Sequence, residues 1–139
     1  MSSLAPSLSP FAATLNVALG GAIGAAARYQ LGRGMTAWLG PAAVGAYPWA
    51  TLAANVIGSL AMGLLFGWMA RQGGSHEQMR LLIGVGLLGG FTTFSAFSLE
   101  LMLLIERGQA MTGLAYALVS ILAGLAALYI GLIIMRITG

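Results

Sequence analysis

The charged side chains of this 139-residue chain stand in a few short clusters, and long apolar stretches separate them. A helix needs ~20 mostly apolar residues to cross the hydrocarbon core of a bilayer. Four stretches meet this requirement, at about residues 12–31, 49–69, 81–105 and 111–135. They predict an all-α integral membrane protein whose four transmembrane helices form a single domain over residues 1–139.

The composition excludes a soluble fold and several kinds of chemistry. Charged residues make up only 6% of the chain, against roughly 25% in a typical soluble domain. Lys, Cys and Asp are absent and there is one His, which excludes P-loop, Schiff-base and thiolate chemistry and the usual His/carboxylate metal clusters. The arginines form no basic run of the kind that binds nucleic acid. We therefore expect a membrane protein that is not an enzyme and binds no nucleic acid.

The N-terminal 27 residues carry no charged side chain. A secretory signal peptide begins with a basic segment. We therefore expect the chain to carry no signal peptide.

The third apolar stretch is interrupted by the sequence Gly-Gly-Phe-Thr-Thr-Phe-Ser at residues 89–95. We expect the third helix to be broken there, in the middle of the membrane. Non-helical backbone persists at that depth only where protein buries it or where it coordinates something. Freed carbonyl groups can bind a cation such as Na⁺. The alternative is a Gly-Gly kink whose carbonyls are satisfied by neighbouring hydroxyl groups.

The arginines are balanced between the two sides of the membrane. With four spans, each side holds three of them: Arg71, Arg80 and Arg136 against Arg28, Arg33 and Arg107. A Lys/Arg bias between loops is what orients a membrane protein. Its absence predicts insertion in both directions and an antiparallel, dual-topology homodimer. The alternative is that one arginine near a helix end is assigned to the wrong side and a weak bias survives.

Two of the predicted helices carry a polar face. Thr51, Asn55 and Ser59 recur at four-residue spacing in the second span, and Tyr116 and Ser120 do so in the fourth. Polar side chains in lipid are costly unless they meet partners or line a wet cavity. Hydrogen bonds between helices would satisfy any one of them. Both faces together with a Phe-rich helix break favour a pore or transporter for a small ion.

Glycines at four-residue spacing recur in three of the spans. The pairs are Gly20/Gly24, Gly63/Gly67 and Gly86/Gly90. Such pairs let two helix backbones approach closely in lipid, so they predict tight helix packing.

Four motifs in order resemble the Fluc (CrcB) family of fluoride channels over nearly the whole chain. The most specific is residues 86–100, GLLGGFTTFSAFSLE, which is similar to the family's Gly-Gly-x-Thr-Thr-Phe-Ser-Thr-Phe stretch. Gly20-Gly21, Gly24-Ala25 and Arg28-Tyr29 resemble its first-helix motif. Residues 48–55 with Gly58, Ser59 and Gly63 resemble its second, and Tyr116 and Ser120 its fourth-helix polar track.

The resemblance implies a dual-topology homodimer in the bacterial inner membrane. Its two pores would lie along the chain interfaces and export cytoplasmic fluoride passively. By position, the pore residues would be Asn55, Phe94, Phe97, Ser95, Thr51, Tyr116, Ser120 and Glu100. Arg28 would lie near an aqueous vestibule, and the backbone carbonyls of Gly89 and Thr92 would hold a structural Na⁺ that is shared between protomers and not transported.

Three positions depart from the family pattern. Ala50 replaces the family's Gly, Ala96 replaces a Thr and Gly124 replaces a Ser. The last two changes each remove a hydroxyl from the expected ion path.

Two other functions are compatible with the sequence. A small dual-topology multidrug transporter is the closest alternative, with Glu100 as its only carboxylate within a span. A packing subunit that transports nothing is the other.

Overall fold

The computed structural model describes residues 7–139, so the first six residues of the predicted domain lie outside the described residues. The described residues form α1 (Pro10–Leu39), α2 (Pro41–Ala46), α3 (Trp49–Gln72), α4 (Glu77–Met79), a π-helix (Arg80–Leu88), α5 (Gly89–Phe91), α6 (Phe94–Glu106) and α7 (Ala110–Ile137). Four segments are long and apolar enough to cross a membrane: α1, α3, the run Glu77–Glu106, and α7. The prediction of a helical protein with four apolar spans is confirmed.

Local sequence explains where two of the helices begin. The Ser9 side chain accepts the N–H of Ala12 at 3.2 Å, and Pro10 occupies the first helical position of α1. Both features favour a helix start. Thr93 caps α6 in the same way by accepting the N–H of Ala96 at 3.3 Å.

The third span is interrupted between α5 and α6. Thr92 and Thr93 have extended backbone, with φ/ψ of −93/153° and −149/126°. The third span therefore consists of two helical parts joined by two extended residues. These are Thr92 and Thr93, which belong to the motif from which the break was predicted.

Glycines set the closest helix crossings. A Cβ on Gly20 of α1 would collide with the carbonyl oxygen of Leu82 in the π-helix, and a Cβ on Gly63 of α3 would collide with that of Leu128 in α7. Only Gly allows backbones to approach this closely. The fold is thus built from two tight pairs, α1 against the first part of the third span and α3 against α7.

The helices differ from the sequence prediction in three places. α1 continues through Arg28 to Leu39, and its 30 residues span about 45 Å, well beyond a bilayer core of about 30 Å. The expected loop after it contains α2, which begins with Pro41 in the favourable first position. The π-helix was not predicted, because its apolar sequence carries no signal that separates it from an α-helix.

Candidate functional site

The two polar faces meet at one cleft of about 450 Å³, which we call the polar cleft. α3 contributes Asn55 and Ser59, and α7 contributes Ser120 and Gly124. The Oγ of Ser120 is buried and has no hydrogen-bond partner among residues 7–139. A buried hydroxyl without a partner costs free energy, so it is well placed to donate to a small solute in the cleft.

Aromatic rings form another wall of the polar cleft. Phe94 and Phe97 line it together with Thr92 and Thr93. The ring centroids of the two phenylalanines are 5.9 Å apart, and the Phe97 ring lies 5.1 Å from that of Tyr116. Phe94 is 80% exposed. The rings therefore lead from the open surface of the chain to a fully buried tyrosine.

Four helices meet in a single chain of hydrogen bonds, which we call the buried network. Arg28 Nη2 of α1 donates to Thr51 Oγ1 of α3 at 2.8 Å, and Thr51 Oγ1 donates to Glu100 Oε1 of α6 at 2.7 Å. Tyr116 of α7 donates its hydroxyl to Glu100 Oε2 at 2.9 Å. Thr51 and Tyr116 are fully buried. Each carboxylate oxygen thus receives a charge-assisted hydrogen bond, which is stronger than a bond between neutral groups.

A second cleft of about 670 Å³ ends at the buried network, and we call it the arginine cleft. Arg28, Thr51 and Glu100 line it together with Arg33. The Nη1 of Arg28 is buried and has no hydrogen-bond partner within the described residues. A positive charge in a confined, low-dielectric cleft raises the local concentration of anions.

Sequence reasoning missed Tyr47, which contacts the network from outside the spans. Its ring lies 5.6 Å from that of Tyr116 at an interplanar angle of 80°, an edge-on contact. Burial raises the pKa of Tyr47 above its ordinary value. Tyr47 follows α2 in a connecting segment, so helical spacing could not relate it to the polar faces.

The residues at the helix break have the chemistry of a carbonyl site for a cation. The Thr92 N–H donates to the Leu88 carbonyl at 3.0 Å, and the chain then becomes extended. In a continuous helix the N–H groups of residues 93–95 would pair with the carbonyls of residues 89–91. The extended backbone moves those N–H groups away and leaves the carbonyls without these partners. Gly89 is exposed. The Ala96 N–H, which would pair with the Thr92 carbonyl in a continuous helix, bonds the Thr93 hydroxyl instead. Freed backbone carbonyls of this kind bind monovalent cations in other membrane proteins, so the carbonyls of Gly89 and Thr92 fit the Na⁺ that the resemblance implies.

The structure gathers most of the predicted site residues in two places. The polar cleft brings together Asn55, Phe94, Phe97, Ser120 and Thr92. The buried network brings together Arg28, Thr51, Glu100 and Tyr116. Ser95 lies outside both: it is exposed, and its hydroxyl is 3.1 Å from that of Thr93. Gly89 lies at the break and is not part of either set.

These features define a class: a small four-span helical membrane protein with an uncharged polar cleft beside a buried carboxylate network. The family model described as "CrcB-like protein, Camphor Resistance (CrcB)" matches residues 15–132. The chain belongs to the CrcB family, and the resemblance seen in its motifs is confirmed.

Curated relatives cover almost the whole chain. A protein of Erythrobacter litoralis named "Fluoride-specific ion channel FluC" is 55% identical over 131 residues, which are 94% of this chain and 96% of the relative. A protein of the same name from Novosphingobium aromaticivorans is 56% identical over 124 residues, 89% of this chain and 96% of the relative. A protein of the same name from Sphingopyxis alaskensis is 50% identical over 120 residues, which are 86% of this chain and 92% of the relative.

Proposed function

We propose that this protein is a fluoride-selective channel. It lets cytoplasmic fluoride leave the cell passively through the bacterial inner membrane, and so protects against fluoride toxicity. The names of its relatives support this function, and the polar cleft carries the proposal. The described residues that line it offer an amide at Asn55, an unpartnered hydroxyl at Ser120 and two phenylalanine rings, with no charged side chain. Such a lining holds an anion weakly enough to release it.

Conduction in this proposal begins at the arginine cleft. Arg28 attracts the anion, and the Thr51–Glu100–Tyr116 chain keeps the adjacent carboxylate bonded on both oxygens. Asn55 and Ser120, which line the polar cleft, then replace the water of the ion with an amide and a hydroxyl donor. The edges of Phe94 and Phe97 carry positive partial charge and stabilise the anion between those donors.

The functional unit that we propose is an antiparallel, dual-topology homodimer with two pores along the interfaces between its chains. The 80% exposure of Phe94 beside Asn55 and Ser120 supports it, because a polar cleft that faces lipid would be costly. A second copy in the opposite orientation covers the cleft of the first. The balance of three arginines on each side supports insertion in both directions.

A structural Na⁺ at the centre of this dimer completes the proposal. The carbonyls of Gly89 and Thr92 from both copies would hold it where the two helix breaks cross, in the middle of the membrane. The ion would offset the repulsion between the partial negative charges of carbonyl oxygens that face one another, and it would not be transported. Replacing Na⁺ with a large organic cation on both sides of the membrane should then abolish fluoride flux while leaving the chain helical by circular dichroism.

The test of the function is fluoride efflux from liposomes that contain the purified protein, read with a fluoride electrode. We expect fast fluoride release and no chloride release from the same vesicles. Absence of fluoride release from folded protein would overturn the proposal. Proton-linked uptake of a cationic dye by those vesicles would instead support the multidrug transporter, and no flux of any ion would support the packing subunit.

A further inference from the structure

A short connecting segment, which we call the strap, contacts the buried network at Tyr116. It consists of residues 41–47, that is α2 and the tyrosine that follows it. Arg107, just after α6, donates from Nη1 to the carbonyl oxygen of Gly45 at 2.9 Å. Two residues further along the strap, the Tyr47 ring packs on Trp49, the first residue of α3, with centroids 4.6 Å apart. The C-terminal half of the strap therefore contacts both the residue that follows α6 and the start of α3.

The strap contributes one edge-on aromatic contact to the network, between Tyr47 and Tyr116. Tyr47 meets Tyr116 at 5.6 Å and 80°, while Phe97 packs on the same ring at 5.1 Å and 43°. Tyr116 thus has a ring from α6 and a ring from the strap against it. Its hydroxyl reaches Glu100 Oε2 at 2.9 Å, and a tilt of the Tyr116 ring would lengthen that bond. Edge-on aromatic pairs have a preferred geometry that resists such a tilt.

We propose that Tyr47 is a positioning residue of the ion path: it holds the Tyr116 phenol on Glu100 through an edge-on ring contact, and Arg107 keeps the strap in place. This inference rests on the proposed fluoride channel, because flux is the activity that it modulates. Tyr47 acts through Tyr116 and touches no ion itself. The ring carries the role, so Phe replaces it and an aliphatic side chain does not.

Fluoride efflux from liposomes tests the role in flux. Tyr47→Leu should lower the efflux rate on the order of three- to tenfold, the range that an edge-on aromatic pair supplies, and Tyr47→Phe should conduct like the unchanged protein. Because Tyr47 acts through the Tyr116 hydroxyl, Tyr47→Leu should lower flux no further in a Tyr116→Phe background. Unchanged flux in Tyr47→Leu, or effects that multiply in the double variant, would overturn the proposal.

A spectroscopic measurement tests the positioning itself, independently of flux. The tyrosine doublet in ultraviolet Raman spectra reports the hydrogen bonding of phenol groups. Tyr47→Leu and Tyr47→Phe both remove the Tyr47 phenol and neither new side chain contributes to the tyrosine doublet, so a difference in that doublet between the two variants arises only from other tyrosines. We expect that difference, and we expect it to vanish when Tyr116→Phe is added to both. An identical tyrosine doublet in the two single variants would refute the positioning role.

The two measurements separate this inference from the proposed function. A protein that carries no fluoride while its Raman difference is present would overturn the channel and keep Tyr47 as the group that positions Tyr116. If Tyr47→Leu does not fold, Tyr47→Met keeps the bulk without the ring and is measured in its place. Failure of both aliphatic variants to give folded protein would make Tyr47 part of the scaffold and overturn the proposal.

Discussion

The hydroxyl of Thr51 donates to the carboxylate of Glu100 over 2.7 Å. A hydroxyl has one proton, so Thr51 can only accept at its other bond, and Arg28 donates to it there over 2.8 Å. This fixes the direction of the chain: the guanidinium and the carboxylate are linked through a neutral group and do not pair directly. The order makes Thr51 the residue on which the satisfaction of both charged groups depends.

Replacing Thr51 with Val keeps the shape of the side chain and removes both of its hydrogen bonds. It leaves a partly buried guanidinium and a carboxylate each short of one partner, which costs about 2 kcal/mol of unfolding free energy. Fluoride flux should fall as well, because Arg28 and Glu100 are then free to rearrange. Thr14→Val is the matched control, since the Thr14 hydroxyl only bonds back to the Pro10 carbonyl on an exposed helix face. Denaturant titration of both variants in detergent checks the prediction, and equal stability would contradict it.

Phe94→Ile and Phe97→Ile should each reduce fluoride flux while the purified protein remains folded. Phe94 is 80% exposed in the single chain, so its replacement removes little packing within the helices of that chain, and the chain should still fold. The loss of flux follows from the loss of a positive ring edge, which Ile does not offer. Phe11 on α1 is 73% exposed, and Phe11→Ile serves as the control with normal flux. Normal flux in both variants would contradict a pore role for Phe94 and Phe97 and would indicate that they serve only in packing.

The spacing of apolar and polar residues predicted the spans and the polar faces, because exposing a polar side chain to lipid costs free energy. Asn55 and Ser120 were found by four-residue spacing, and they do line one cleft. The bonds of the buried network could not be read in the same way. Arg28 was interpreted as a residue near the end of the first span, whereas the helix continues to Leu39 and the side chain turns to a residue 23 positions away.

Tyr47 shows the other limit of sequence reasoning. A contact between a connecting segment and a buried ring depends on where α2 places the chain, and no periodicity reports this. The start of α2 at Pro41, after Gly40 with φ of 87°, was a usable signal, because Pro favours the first helical position and Gly accepts a positive φ. The direction in which the following ring points was not predictable from local sequence.

Gly63→Ala should destabilise the protein through one added methyl group. Its Cβ would overlap the backbone carbonyl of Leu128, and backbone cannot move aside as a flexible side chain would, so we expect a loss of about 1–3 kcal/mol. Gly34→Ala is the control, because nothing lies within 4 Å of its added methyl group. That change should leave stability equal or raise it by up to ~1 kcal/mol. Thermal unfolding in detergent measures both, and a stable Gly63→Ala protein would contradict the close crossing of α3 and α7.

The dual topology can be tested with a single cysteine, because the natural chain has none. Ser75 is exposed in the segment between α3 and α4, so Ser75→Cys introduces one accessible thiol. In intact cells, an impermeant thiol reagent should label about half of the chains, and the other half should react only after the membrane is opened. Labelling of every chain from one side alone would exclude the antiparallel dimer.

Asn55→Asp separates an anion path from a cation path. Asn55 lines the polar cleft among uncharged groups, and the substitution adds a fixed negative charge with almost no change in shape. At a separation of 4 Å and an effective dielectric constant of 20, two like charges repel by about 4 kcal/mol, so fluoride flux should fall by roughly a thousandfold. A cation carried along the same path would be attracted, and the multidrug transporter therefore predicts unchanged or increased uptake of a cationic dye. Gel filtration shows whether the variant is folded, and paired fluoride and dye measurements on the same vesicles decide between the two functions.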